Sequence, residues 1–129
     1  MNASEPGGLN GRATRVAVVD ADRRVQQSLA EVLRVAGVDV VGTAGDVRAA
    51  LELVNTEQPS VLLIDPRLPD VDAGAALLSS VRLGWPDIRI VVMGWSDTGE
   101  SHMPEVSSFV SKSAPSEDFV ASALAACDC

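Results

Sequence analysis

The sequence has 129 residues, a formal net charge of −8, and a composition that is 47% apolar but only 3% aromatic. This length and composition predict a single globular domain with an aliphatic core. The acidic charge argues against direct contact with nucleic acid, and no apolar stretch approaches the length that spans a membrane. We therefore expect a small cytoplasmic domain that contacts neither a membrane nor nucleic acid.

The two ends of the chain differ from the middle. Residues 1–14 are polar and Gly-rich and lack the apolar segment of a signal peptide, so we predict a flexible leader there and one domain over residues 15–129. Cys127 and Cys129 are too close in sequence for a structural disulfide and form a weak metal signal. Free thiols are the simpler interpretation of this pair.

Strand patterns alternate with helix patterns after the leader. Short β-branched or aliphatic runs, most of them bounded by Gly, Pro or Asp, predict five strands. These strands cover residues 15–20, 38–41, 61–64, 88–93 and 109–111. The last run is the weakest because it is only three residues long.

Helical spacing of apolar residues predicts helices between these strands. Gly37 ends the first helix, Asp46 caps the start of the second and Gly84 ends the third. A last helix opens near Pro115. The stretch from Gly94 to Ser108 has few periodic apolar positions, so we expect a short or irregular helix, or a loop, between the fourth and fifth strands.

This alternation determines the predicted fold class. Strands that alternate with helices form a parallel sheet covered by helices on both faces. The number of elements suits an α/β, doubly wound, five-stranded parallel sheet with the strand order 2-1-3-4-5.

Asp65 is the strongest candidate for chemistry. It follows the buried run Val61–Ile64 and stands at the carboxyl end of the third strand, where open α/β sheets place their sites. The first and third strands are neighbours in the predicted sheet, which brings Asp20 close to Asp65, and Lys112 follows the fifth strand at the same edge. Paired carboxylates suit Mg²⁺. Together with a lysine they suit phosphoryl transfer to an aspartate.

Three motifs resemble those of the receiver domains of two-component response regulators. They are VVDAD on the first strand, LLIDPRLPDVD on the third and FVSK on the fifth, and the resemblance extends from Arg15 to about Ala126. It implies a flavodoxin-like receiver fold and a role in phosphorelay signal transduction. It implies no enzymatic activity beyond self-phosphorylation and self-dephosphorylation. The ending KSAPSEDFVASAL resembles receivers that precede a helix-turn-helix domain.

The resemblance also implies roles for individual residues. Asp65 would accept a phosphoryl group from a sensor histidine kinase or a phosphotransfer protein, and Lys112 would contact the phosphoryl oxygens. Asp20, Asp65 and the backbone carbonyl of Arg67 would hold Mg²⁺. Phe109 would take the position of the aromatic switch residue, although a plain core role fits it equally well. A homodimer and a C-terminal DNA-binding domain outside this segment are both compatible with the family.

The sequence departs from the family pattern at several positions. Ala21 stands where a second acidic residue is usual, which predicts weak Mg²⁺ binding. Asp22 could compensate as a ligand, but an N-cap of the first helix is the simpler interpretation. Gly94 stands where a Thr or Ser hydroxyl is usual, and glycine has no side chain that can donate. Ala73 replaces a usual glycine. Trp95 is either a lid over Asp65 or part of an exposed apolar contact.

These departures leave more than one function open. The chain could be a receiver that is phosphorylated on Asp65. It could instead be a degenerate receiver that binds a protein or a ligand without phosphorylation. A small enzyme or flavin carrier is poorly supported, because Asp22-Arg23-Arg24 follows the first strand where a Gly-rich phosphate loop would be required.

Overall fold

The computed structural model describes residues 14–94 and 108–127. Almost all of the predicted leader falls outside these ranges. The interior of the stretch from Gly94 to Ser108, for which the sequence predicts a short or irregular helix or a loop, also falls outside them, as do Trp95 and Cys129.

Five strands and four helices lie along the described part of the chain in the order that the sequence predicts, and they alternate except that no described helix lies between the last two strands. They are β1 (Arg15–Val19), α1 (Arg23–Val35), β2 (Asp39–Ala44), α2 (Val47–Glu57), β3 (Val61–Ile64), α3 (Val71–Gly84), β4 (Arg89–Gly94), β5 (Ser108–Ser111) and α4 (Ser116–Cys127).

The strands form one sheet in which every neighbouring pair is parallel. The strand order is β2-β1-β3-β4-β5, which confirms the predicted doubly wound topology. β1 and β3 lie side by side, with Val19 opposite Ile64. The residues that follow these two strands are therefore neighbours at the carboxyl edge of the sheet.

The core consists of two layers, one on each face of the sheet. One layer joins α1 and α4 to the sheet and contains Leu33, Leu63 and Phe119. The other joins α2 and α3 to the sheet and contains Leu62, Leu77 and Leu78. All four residues of β3 are buried, as expected for a central parallel strand covered on both faces.

Aspartates begin three of the helices. The side chains of Asp22, Asp46 and Asp70 accept hydrogen bonds from backbone N–H groups in the first turns of α1, α2 and α3. After α1, Gly37 adopts a φ of 89°, in the left-handed region that glycine enters without strain. These local signals account for the accuracy of the predicted helix boundaries.

β2 is longer than predicted. The sequence indicates residues 38–41, but the strand continues to Ala44 because Thr43 and Ala44 pair with the end of β1. Gly42 lies within this extension, and a Cβ there would lie 2.6 Å from Cδ1 of the flexible Leu53 side chain on α2. The Gly-Thr pair looks like a turn in the sequence, but pairing with β1 overrides that local preference.

No helix within the described ranges is long and apolar enough to cross a membrane.

Candidate functional site at the carboxyl edge of the sheet

Asp20 and Asp65 occupy equivalent positions at the ends of neighbouring strands. Asp20 follows β1 and donates its backbone N–H to Ala44 O at 3.0 Å, and Asp65 follows β3 and donates to Val19 O at 2.9 Å. Both aspartates therefore extend the strand ladder by one residue before the chain turns away. No other acidic residue in the described part of the chain is buried.

Lys112 joins the two carboxylates. Its Nζ atom lies 2.6 Å from Asp65 Oδ2 and 2.6 Å from Asp20 Oδ2. The lysine side chain is only 7% exposed, and the Asp20 and Asp65 side chains are 3% and 10% exposed. One ammonium thus sits between two buried carboxylates, and the two Oδ2 atoms can be no farther apart than twice this distance.

The two contacts of Lys112 differ in geometry. The one to Asp65 is an aligned hydrogen bond. The one to Asp20 is an ion pair at the same distance, but Asp20 Oδ2 receives no aligned hydrogen bond from any described residue. We describe this contact as an ion pair, because attraction between charges at this distance does not depend on alignment. Asp20 Oδ2 is consequently a buried anionic oxygen that is held by its charge interaction with the Lys112 ammonium.

The pKa of Lys112 reflects this environment. Burial alone would lower it, because burial penalises the charged ammonium. Contacts with the two carboxylates and their negative charges act in the opposite direction and prevail, so the pKa lies above its ordinary value of 10.5. Lys112 is therefore a permanent cation at neutral pH.

Backbone N–H groups orient both carboxylates through their other oxygen. Asp22 N donates to Asp20 Oδ1 at 2.8 Å, and Arg67 N donates to Asp65 Oδ1 at 3.1 Å. In each case the donor lies two residues after the acid, in the turn that follows the strand. The turns thereby leave each Oδ2 facing Lys112.

The site fits a divalent cation, although with few protein ligands. No group of three or more His, Cys, Asp or Glu side chains in residues 14–94 and 108–127 could hold a metal ion. Mg²⁺, however, commonly takes only one or two carboxylates and keeps several waters. Two buried carboxylates at the same edge of the sheet, which already share one cation, match that requirement.

The neighbouring positions differ in what they contribute. Ala21 is exposed and supplies no oxygen from its side chain. Asp22 is also exposed, and its Oδ1 accepts from Arg24 N at 2.9 Å as the N-cap of α1. The structure therefore gives Asp22 the capping geometry that its sequence position suggests.

The two expected switch positions lie on the last strands. Gly94 ends β4, is buried, and accepts a hydrogen bond from Lys112 N at 2.7 Å through its carbonyl. Phe109 on β5 is half-buried and packs against the core layer formed by α2 and α3. Its position is thus compatible with either a core role or a switch role.

The sequence reasoning missed Gly74, which lies in the first turn of α3. A Cβ there would lie 1.6 Å from the Pro66 carbonyl oxygen, in the loop just after Asp65. The signal was a glycine inside a helical pattern, one position after Ala73.

The sequence also contains a signal for Lys112 that was missed. Lys112 is the only lysine in the sequence, and all the other basic residues are arginines apart from a single histidine.

Known structures share this architecture. The signal receiver domain of the putative response regulator NarL from Mycobacterium tuberculosis superposes with a TM-score of 0.81, at 28% identity, and the match covers 90% of this chain and 97% of that one. The chemotaxis response regulator CheY4 of Vibrio cholerae gives a TM-score of 0.78 at 21% identity over 89% of this chain and 99% of that one, which supports the fold alone.

Curated relatives match over about half of the chain. The transcriptional regulatory protein PdtaR of Mycobacterium tuberculosis is 32% identical over 68 residues, 50% of this chain and 33% of that protein. A protein-glutamate methylesterase/protein-glutamine glutaminase of Anaeromyxobacter dehalogenans is 39% identical over 66 residues, 50% of this chain but only 18% of that protein. The alignments thus cover a third or less of each of these relatives.

The match to a protein family covers more of the chain than the alignments with these relatives do. Residues 16–123 match the profile of the response regulator receiver domain. This range contains β1 from its second residue onward, the other four strands, both carboxylates and Lys112. The chain therefore belongs to the response regulator receiver domain family.

Proposed function

We propose that this chain is the phosphoacceptor of a two-component phosphorelay. Asp65 accepts a phosphoryl group from a sensor histidine kinase or a phosphotransfer protein. The observation that carries this proposal is the buried Asp65 carboxylate with the Lys112 ammonium 2.6 Å away. A carboxylate at a strand end is common, but one paired with a buried lysine and a second carboxylate is a set suited to phosphoryl transfer.

In the proposed reaction an oxygen of Asp65 attacks phosphorus. The new O–P bond forms as the P–N bond to the donor histidine breaks, and its electron pair remains on the imidazole. Lys112 neutralises charge on the phosphoryl oxygens, and the Arg67 N–H holds the acid in place through Oδ1. Catalysis by this chain is limited to its own phosphorylation and dephosphorylation.

Mg²⁺ is the proposed cofactor. Asp20, Asp65 and the Arg67 backbone carbonyl would hold it, and its charge would offset that of the phosphoryl group. With Ala21 in place of a further acid, we expect weak binding. Asp22 contributes mainly as the cap of α1, because its Oδ1 is engaged with Arg24 N.

The proposed partners follow from the family. One is a kinase or phosphotransfer protein, and another is an output domain outside this segment, which the name of the relative PdtaR as a transcriptional regulatory protein supports. A homodimer is a further proposal, and the setting is cytoplasmic. The acidic charge of −8 supports an indirect effect on DNA rather than contact with it.

Intact-mass measurement tests the phosphoacceptor role. Incubation with Mg²⁺ and a small phosphodonor should add one phosphoryl group, and Asp65→Asn should abolish the gain. Asp87→Asn is a matched control, since Asp87 is an exposed aspartate outside the site. If the wild-type protein gains no mass and binds no beryllofluoride, the proposal is wrong.

A second candidate is a degenerate receiver that regulates by binding alone. The favouring observation is that one internal ammonium contacts both acids while positions 21 and 94 carry no side-chain oxygen. The discriminating measurement is the cellular phenotype of Asp65→Asn. An unchanged phenotype supports the binding module, and a phenotype like that of a deletion supports phosphorylation.

A further inference from the structure

Gly74 is buried against the loop that carries Asp65. A side chain at this position would place Cβ at 1.6 Å from the Pro66 carbonyl oxygen and 2.4 Å from its carbonyl carbon. Both atoms belong to the backbone, so no rotamer change relieves the overlap. The first turn of α3 and the Pro66 peptide group therefore approach as closely as they do because residue 74 has no Cβ.

The peptide group in question is the one that orients the acid. The Pro66 carbonyl and the Arg67 N–H belong to the same planar unit. The oxygen of this plane rests on Gly74, and its N–H donates to Asp65 Oδ1 at 3.1 Å. Because the plane is rigid, displacement of one end rotates the other.

The surrounding contacts restrict that rotation further. Pro66 has a ring that fixes its φ. Leu68, two residues later, is buried and belongs to the same core layer as Leu77, Leu78 and Val81 of α3. At the start of α3, Gly74 N donates to Asp70 O at 3.1 Å, and Asp70 caps the helix through Ala73 N. The loop is thus held by packing on one side and by Gly74 on the other.

We propose that Gly74 is a positioning residue for Asp65. It sets the plane of the Pro66–Arg67 peptide, and through the Arg67 N–H it directs Asp65 Oδ2 towards Lys112. The orientation of the Asp65 carboxylate towards Lys112 therefore depends on the absence of a side chain at residue 74 of α3. This inference rests on the proposed phosphoacceptor function for its consequence, but its geometry can be tested without phosphorylation.

The first experiment compares Gly74→Ala with Gly84→Ala. Gly84 ends the same helix and a Cβ there would meet nothing within 4 Å, so the same substitution should be silent. In Gly74→Ala the amide signal of Arg67 should shift in the ¹H–¹⁵N spectrum and lose protection from exchange. The rate of phosphorylation by a small phosphodonor should fall by about 100-fold, the order of loss for a misplacement of about 1 Å.

A destabilised control separates positioning from stability. Val54→Ala removes buried methyl groups from the same core layer at a residue of α2, outside the loop. It should lower the unfolding midpoint while leaving the Arg67 amide signal where it is. If Gly74→Ala folds with the Arg67 amide unmoved and reacts at the wild-type rate, the proposal is wrong.

A second variant covers the case in which Gly74→Ala does not fold. In Pro66→Gly/Gly74→Ala the loop is free to retreat from the new Cβ. This double variant should fold where Gly74→Ala alone does not. Its Arg67 amide signal should not return to the wild-type position. Failure to recover folding, or recovery of both, contradicts the proposal. If the wild-type protein never gains a phosphoryl group, the proposed function is wrong. The Arg67 amide signal still tests whether Gly74 positions the loop, because that measurement does not require phosphorylation.

Discussion

The two ends of β1 carry the same charges in different surroundings. At its carboxyl end, Lys112 lies between Asp20 and Asp65, and we call these three residues the buried trio. At its amino end, Arg15 pairs with Asp39 and Glu57, and we call these the exposed trio. Each trio has one cation and two carboxylates, so the two trios carry the same formal charge in different surroundings.

Burial separates the two trios. The side chains of the exposed trio are 37–58% exposed, whereas those of the buried trio are at most 10% exposed. Water screens the charges at the amino end, and such pairs contribute about 0–1 kcal/mol. At the carboxyl end the charges are desolvated and depend on one another. Of the two ends of β1, only the carboxyl end holds its charges away from water.

The largest expected effect is that of Lys112→Met. The substitution leaves two adjacent buried carboxylates without a counter-charge, which should lower the free energy of unfolding by about 3–5 kcal/mol. Urea unfolding followed by circular dichroism measures this loss. Arg15→Met is the matched control at the exposed trio, with a loss of no more than about 2 kcal/mol for its ion pairs and its hydrogen bond to Glu57 O. If Lys112→Met and Arg15→Met lower the free energy of unfolding equally, burial does not distinguish the two ends of β1.

The next effect is on metal affinity. Ala21→Asp adds a carboxylate beside the buried trio, at an exposed position that accommodates it. We expect Mg²⁺ affinity to rise about tenfold, because one more negative charge within a few ångströms stabilises a divalent ion by at least about 1.4 kcal/mol. Calorimetric titration measures it. Ala125→Asp on the exposed side of α4 adds the same charge elsewhere and should change nothing; an equal gain there would mean that net charge alone is responsible.

A smaller effect is expected for Asp65→Asn on stability. The lost ion pair is offset by relief of repulsion from Asp20 and by the lower cost of burying an amide, so the free energy of unfolding should fall by less than about 1 kcal/mol. Thermal unfolding of both proteins tests this. A loss as large as that of Lys112→Met would show that Asp65, rather than the ammonium, holds the edge together.

The smallest effect belongs to the exposed trio. Asp39→Asn removes a pair with 3.9 Å between charged atoms, and should cost less than about 0.5 kcal/mol at low salt. The cost should vanish at high ionic strength, where the screening length falls to about 3 Å at 1 M. Urea unfolding at both salt concentrations checks it. A cost that survives high salt would mean that Asp39 acts through a contact other than charge.

Much of the fold could be predicted because local signals agreed with one another. Asp22, Asp46 and Asp70 stand before helical patterns, and short aliphatic runs mark the strands. The end of β2 could not be predicted, since Gly42 and Thr43 resemble a turn until β1 supplies a partner. Pairing with a strand from elsewhere in the chain can override the local conformational preference of a segment.

The candidate site was predictable in its members but not in its arrangement. Parallel strands end at the same edge of a sheet, so Asp20, Asp65 and Lys112 could be placed together from their positions after strands. Pattern alone could not show that one ammonium contacts both acids at 2.6 Å. Nor could it show that Gly74 supports the loop after Asp65, because that contact joins two segments with no shared periodicity.

The sequence by itself determined the order of elements, the strand topology and the identity of the charged residues at the carboxyl edge. These follow from periodicity and from the connection rules of parallel sheets, which act along the chain. Only the tertiary structure decided which of the two charged ends of β1 is buried, which oxygens face the lysine, and which glycine the acid depends on. Those properties arise from distances between segments far apart in sequence.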